Sequence, residues 1–114
     1  MTRRRPRDEG SVAAELAVAV PAVLVVLLLG VSALGAAARQ VSLQDAAADA
    51  ARLLGRGESA SAATAAVTRA VDGARVSTGI RDDLACVTAH ADVQVGRLIS
   101  IPVQASSCAL AGGL

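Results

Sequence analysis

From Leu16 to Ala38 the chain runs for twenty-three residues without a charged side chain, drawn mainly from Val, Leu and Ala. A helix rises about 1.5 Å per residue, so this run spans roughly 34 Å, enough to cross the hydrocarbon core of a bilayer. Burial inside a globular protein would need enough chain to cover the helix on all sides. With 114 residues in total, there is too little. The run is therefore expected to be a membrane-inserted helix. Pro21 removes one backbone donor within it and should kink it. Gly30, Ser32 and Gly35 put small residues toward its C-terminal end, where they permit close helix–helix approach, although no strict GxxxG spacing is present.

The flanks orient the span. Arg3, Arg4, Arg5 and Arg7 precede it and a single Arg39 follows it, so the N-terminus is expected in the cytoplasm and the chain beyond Arg39 outside. All eleven basic residues are Arg, and the net charge is +1. Beyond Gly10 there remain seven Arg and eight acids, so basicity belongs to the first residues only. Without Phe, Tyr or Trp there is no platform on which bases could stack. Nucleic-acid binding is not expected. The same lack of aromatics leaves Ala, Val, Leu and Ile to fill any core, which makes a small outer domain thin and dependent on a staple or partners.

After the span the helical pattern continues. Val41, Ala46 or Ala47, Ala50 and Leu53 with Leu54 recur at helical spacing and define an expected apolar face. Asp45, Asp49, Arg52 and Arg56 fall on another face, with Asp49 and Arg52 close enough to pair. One helix is expected from about Ser11 to Leu54, broken by Gly55-Arg56-Gly57. A shorter Ala-rich helix from about Glu58 to Val71 comes next, ended by Asp72-Gly73. The rest changes period. Ala74–Ile80, Leu84–Val95 and Ile99–Ala109 read as strands, with turns at Arg81-Asp82-Asp83 and Gly96-Arg97-Leu98 and a frayed tail at Ala111-Gly112-Gly113-Leu114. The expected fold class is α+β: a long N-terminal helix, a short helix, and a small antiparallel hairpin or three-stranded sheet. The expected divisions are a leader at 1–10, a transmembrane helix at 11–38, an outer extension and break at 39–57, and a small outer α+β domain at 58–114.

Two cysteines, Cys86 and Cys108, lie in the part expected outside, where an even count points to a disulfide. If Gly96-Arg97-Leu98 is a three-residue loop, Val95 pairs with Ile99, and the same register sets Cys86 opposite Cys108. Ala85, Val87, Ala89, Ala91 and Val93 then share one face with Ile99, Ile101, Val103 and Ala105. The cysteines share the other with Thr88, His90, Gln104 and Ser106. Pro102 lacks a donor and so belongs on an edge strand. The bridge would add about 3 kcal/mol. One His with two Cys makes no zinc pattern, so no metal is expected. A lone His90, an Asp82-Asp83 turn and no phosphate-cradling glycine loop argue against an enzyme, and no cofactor is expected.

The most informative segment is Gly10-Ser11-Val12-Ala13-Ala14-Glu15-Leu16. A carboxylate at the lip of an apolar helix is costly and calls for a partner. Cleavage between Gly10 and Ser11 would free an amino group four residues from Glu15, on the same helical face. The acid could instead meet the new N-terminus of a neighbouring subunit. An Arg-rich leader, a Gly before the cut, an acid at the fifth position after it and Pro21 in the following span resemble the type IV pilin and pseudopilin superfamily. The Glu15-Leu16-Ala17 run and the stretch Gln44-Asp45-Ala46-Ala47-Ala48-Asp49-Ala50-Ala51-Arg52 resemble the TadE-like pseudopilins of Tad (Flp) systems. The tail Ala105-Ser106-Ser107-Cys108-Ala109-Leu110 fits them more loosely. The resemblance implies cleavage by a prepilin peptidase, handling by Tad platform membrane proteins, contact with other pilins and pseudopilins, and a minor or initiating structural role. Type IVa pilins usually have Phe at the new N-terminus, and Ser11 departs from that. The competing readings are an uncleaved signal-anchored binding protein of the envelope and a secreted domain cut near Ala36-Ala37-Ala38. The apolar run exceeds the usual signal-peptide core, and Glu15 serves no purpose in one.

Overall fold

The computed structural model describes residues 6–95 and 98–112. Arg3, Arg4 and Arg5 of the expected leader, Gly96 and Arg97 of the expected hairpin loop, and the last two residues of the expected frayed tail lie outside them. Two helices are succeeded by three strands: α1 Pro6–Gly55, α2 Ala60–Ala70, β1 Arg75–Arg81, β2 Leu84–Val95 and β3 Ile99–Leu110. The fold is α+β, with a three-stranded antiparallel sheet in the order β1-β2-β3. The chain divides into two compact units between Ala33 and Leu34.

The N-terminal unit is the first part of α1. From Pro6, the first described residue, the chain is already helical, five residues before the expected start. It continues through Pro21 without a break, although that residue cannot donate to the carbonyl four residues before it. The helix contains a window of eighteen residues apolar enough to cross a membrane, and none of that window is buried.

The second unit begins at Leu34 and holds the core. Leu43, Ala46, Ala47, Ala50 and Ala51 are buried on one face of α1, and Ala63 and Val67 on α2. The sheet adds Val87, Ala89, Ala91 and Ala105. Val41, expected on the buried face, is instead 60% exposed, while Leu43 is completely buried. Two helical positions turn the chain through about 200°, so the two cannot share a side, and the run 43, 47, 50, 54 holds the inward one. Among the described residues, only Leu43, Val67 and Val87 are fully buried and larger than alanine. The small faces let backbones approach closely, and a thin but close-packed core results.

The helix ends are chemically specified. Gly57, at φ 91°, occupies the left-handed position after α1. Its N–H donates to the Leu54 carbonyl at 3.1 Å, and the Glu58 N–H donates to the Leu53 carbonyl at 3.1 Å. This nested pair is a Schellman motif, and glycine is the residue that adopts it without strain. Helix α2 starts two residues later than expected because Ser59 is its cap, its Oγ accepting from the Ala62 N–H at 3.2 Å. The β1–β2 turn is Asp82–Asp83, with Asp82 at φ 52°, which aspartate tolerates.

The register of β2 on β3 pairs Val95 with Ile99 and Cys86 with Cys108, as the spacing predicts. Ala85, Val87, Ala89, Ala91 and Val93 are all buried, in strict alternation along β2. On the facing strand the burial is graded. Ala105 is buried and Val103 half-buried, but Ile101 and Ile99 are 45% and 57% exposed. Strand β3 lies at an edge, which accommodates Pro102.

Candidate functional site

Two places bear on function, one in each unit. In the first unit, Ser11, Ala14, Glu15, Val18, Ala19 and Ala22 lie along one exposed side of α1. Their spacing of three and four is that of one helical face. Glu15 is the sole charge between Gly10 and Arg39, and among the described residues it enters no ion pair. Gly10 and Ser11 are exposed, and space beside Gly10 is open, with nothing within 4 Å of where a Cβ would sit. The helical path continues through both residues, so the Gly10–Ser11 peptide bond lies within α1.

This face and the apolar run belong to one recognisable segment. Residues 10–52 match the family model described as TadE-like protein. The segment is TadE-like. The TadE-like segment takes in Gly10, Ser11, Glu15, Pro21, the whole apolar run and most of the helical face that enters the core. It ends before α2 and the sheet. No curated protein and no solved structure gives a significant match to the chain. One long apolar helix near the N-terminus fits a single-pass membrane anchor.

In the second unit, the TadE-like helix is bound to the edge of the sheet through side chains to which the sequence alone assigns no contact. Gln40 Nε2 donates to the Gln104 carbonyl at 3.1 Å, and Gln44 Nε2 donates to the Ser106 carbonyl at 3.2 Å. The four-residue step on a helix covers about 6 Å, and a two-residue step on a strand about 6.6 Å, so the two periods match. Cys86 and Cys108 have Cα atoms 4.0 Å apart, the narrow, non-hydrogen-bonded kind of pair. By alternation, the backbone groups of Pro102, Gln104, Ser106 and Cys108 then point away from β2. The two glutamines satisfy carbonyls on that open edge and shield it from another strand. A pair of glutamines four apart in an Ala-rich helix was the clue available in the sequence.

The far end of this seam is closed by backbone. The Gly112 N–H donates to the Gly55 carbonyl at 2.8 Å, and a Cβ on Gly55 would lie 2.8 Å from the Leu110 carbonyl oxygen. Gly55 is thus required by close approach and Gly57 by its dihedral angle, two reasons hidden behind one Gly-Arg-Gly break.

The cysteines form the expected Cys86–Cys108 disulfide, on the sheet face turned away from the helices. Thr88 and Ser106 hydroxyls are hydrogen-bonded beside it at 3.1 Å. His90 is half-buried on the same face, opposite Arg75 and Gln104. The expected Asp49–Arg52 pair is present at 3.2 Å, with both side chains about two-thirds exposed, and contributes little.

Proposed function

We propose that the protein is a minor pseudopilin of a Tad-type pilus or secretion system, made as a precursor, cut after Gly10 and assembled through its N-terminal helix. The observation that carries this is Glu15, a lone carboxylate on the helical face that Ser11 shares, within a TadE-like segment. An acid held in an apolar setting favours a cationic partner, and the amino group freed at Ser11 supplies one four residues away. In an assembled filament the same acid can meet the new N-terminus of an adjacent subunit.

In this reading residues 1–10 are a cytoplasmic leader and 11–38 are the segment that crosses the inner membrane and later serves as the assembly handle. Residues 39–57 extend the helix outside, and 58–114 complete the outer domain. The prepilin peptidase is the partner for cleavage. Tad platform membrane proteins and other pilins are the partners for extraction and assembly. Pro21 breaks the hydrogen-bond ladder of the handle at a point where a bend can adapt it to its neighbours.

Intact-mass analysis of the native protein tests this directly. A chain starting at Ser11 is expected. A chain retaining Met1 or Thr2 would instead identify a permanent anchor for a binding domain, and one starting at Arg39 a secreted domain. In the same strain, Glu15→Ala should leave cleavage largely intact and reduce incorporation into filaments; normal incorporation would remove the pairing argument.

A further inference from the structure

The two edges of the sheet are finished differently. Along β3 the outward carbonyls of Gln104 and Ser106 accept from Gln40 and Gln44 of α1. Along β1 another set of backbone groups turns outward. The Ala111 N–H donates to the Asp83 carbonyl at 2.6 Å, so odd-numbered residues of β2 bond toward β3 and even-numbered ones toward β1. Cys86, Thr88 and His90 thus bond Gly79, Ser77 and Arg75, and the N–H and C=O groups of Val76, Thr78 and Ile80 point away from the sheet. Among the described residues nothing bonds them. Helix α2 packs against β1 but does not close this edge. Its Thr64, Thr68 and Arg69 side chains donate to carbonyls of α2 itself.

Natural edge strands are commonly blunted by Pro, Lys, a bulge or a cover. Strand β1 has neither Pro nor Lys, and its pairing with β2 runs without interruption from Arg75 to Arg81. The side chains along it divide by face. Val76, Thr78 and Ile80 lie on the side that carries the buried Ala89, Val87 and Ala85, and Ile80 is 67% exposed. Arg75, Ser77, Gly79 and Arg81 lie on the disulfide side. Gly79 leaves a hollow there, lined by Ser77, Arg81, Cys86 and Thr88, with nothing within 4 Å of where its Cβ would sit. Arg75 meets Asp92 at 3.7 Å. Among the described residues Arg81 enters no ion pair, even with Asp82 or Asp83 of the adjoining turn.

We propose that the free edge of β1 docks an extended, acidic segment of a partner protein, which adds to the sheet as a fourth strand. Backbone bonds to Val76, Thr78 and Ile80 supply affinity, and alternate side chains supply selectivity. On one side of the added strand, apolar residues cover Ile80. On the other, a carboxylate enters the hollow at Gly79, beside the Arg81 guanidinium and the Ser77 hydroxyl. Charge makes the partner acidic, because β1 carries two Arg and no acid. The same charge opposes a second copy. Antiparallel pairing of two β1 strands about Thr78 engages every outward group, but it sets Arg75 against Arg81 of the other copy. The β3 edge of a second copy is already closed by its glutamines. No stretch of residues 1–114 remains to fill the edge, since the runs outside the described residues have five residues or fewer and the longest carries three Arg. The docking is independent of cleavage at Gly10.

Fluorescence anisotropy with the full chain in non-ionic detergent tests this. The probe is a fluorescein-labelled, end-blocked heptapeptide alternating Val with Glu. Saturable binding is expected. Only one edge of the peptide faces β1, so N-methylating one alternate set of its amides should weaken binding about tenfold, and methylating the other set should change it little. A peptide alternating Val with Lys should bind more weakly than the acidic one, and Arg81→Glu should reverse that preference. Thr78→Pro removes an N–H that the sheet does not use, at an edge where proline is tolerated, and should weaken binding of the acidic peptide. Circular dichroism and an intact disulfide establish that this variant is folded; if it is not, Arg81→Glu carries the test. Absence of saturable binding up to about 1 mM peptide overturns the proposal. Binding that ignores both sets of N-methyl groups shows charge attraction without strand pairing, and also overturns it. A dimer in sedimentation that Thr78→Pro or Arg81→Glu dissociates identifies a second copy as the occupant, with the same consequence.

Discussion

Single residues set the limits of this molecule in ways their types only partly announce. Gly55 and Gly57 sit in one sequence break, yet one is demanded by a neighbour and the other by its own backbone. Replacing Gly55 with alanine puts a Cβ 2.8 Å from a backbone oxygen that cannot rotate away. Gly55→Ala is expected to destabilise the second unit by about 1–3 kcal/mol. Gly35→Ala meets open space and relieves a helical glycine, so it should be neutral or slightly stabilising. Urea unfolding of the full chain in detergent, monitored by circular dichroism, compares the two. A break was legible at Gly55-Arg56-Gly57 because glycine punctuates helices. The reason for Gly55 was not, because the oxygen it must avoid belongs to a residue fifty-five positions along the chain.

At the scale of elements, strand alternation proved the most reliable guide. A period of two leaves only two choices of face, and one assumed loop length sets every pair from Val95–Ile99 to Cys86–Cys108. Helical facing was less legible. Val41 and Leu43 are both apolar, and local sequence offers no means of choosing between them until the sheet is in place. The disulfide ties the open ends of β2 and β3, nine residue pairs along the register from Val95–Ile99. It closes a separation of 22 residues, worth about 3 kcal/mol to a core built largely of alanine. Exported protein should show no free thiol under non-reducing mass analysis. Its Cys86→Ser/Cys108→Ser form should lose about 3 kcal/mol in urea unfolding. Two free thiols in the exported chain would refute the bridge.

At the scale of the whole molecule, the folded unit starts inside a helix and not after it. Residues Leu43 to Leu54 supply one layer of the core, so the second unit runs from Leu34 to Leu114. Residues 34–114 made alone should fold with the disulfide formed. Residues 58–114 should not, because the sheet would expose Val87, Ala89 and Ala91 where α1 had covered them. Circular dichroism and amide-exchange protection distinguish the two outcomes; a stable 58–114 would show that α1 is dispensable to the core. The apolar span, the lone acid at Glu15, the strand register and the cysteine pairing were determined by sequence, because each depends on local length, charge or a period of two. The glutamine seam and the choice of Leu43 over Val41 were decided by tertiary structure alone. Each depends on where residues more than forty positions apart come to rest, and no local pattern carries that information.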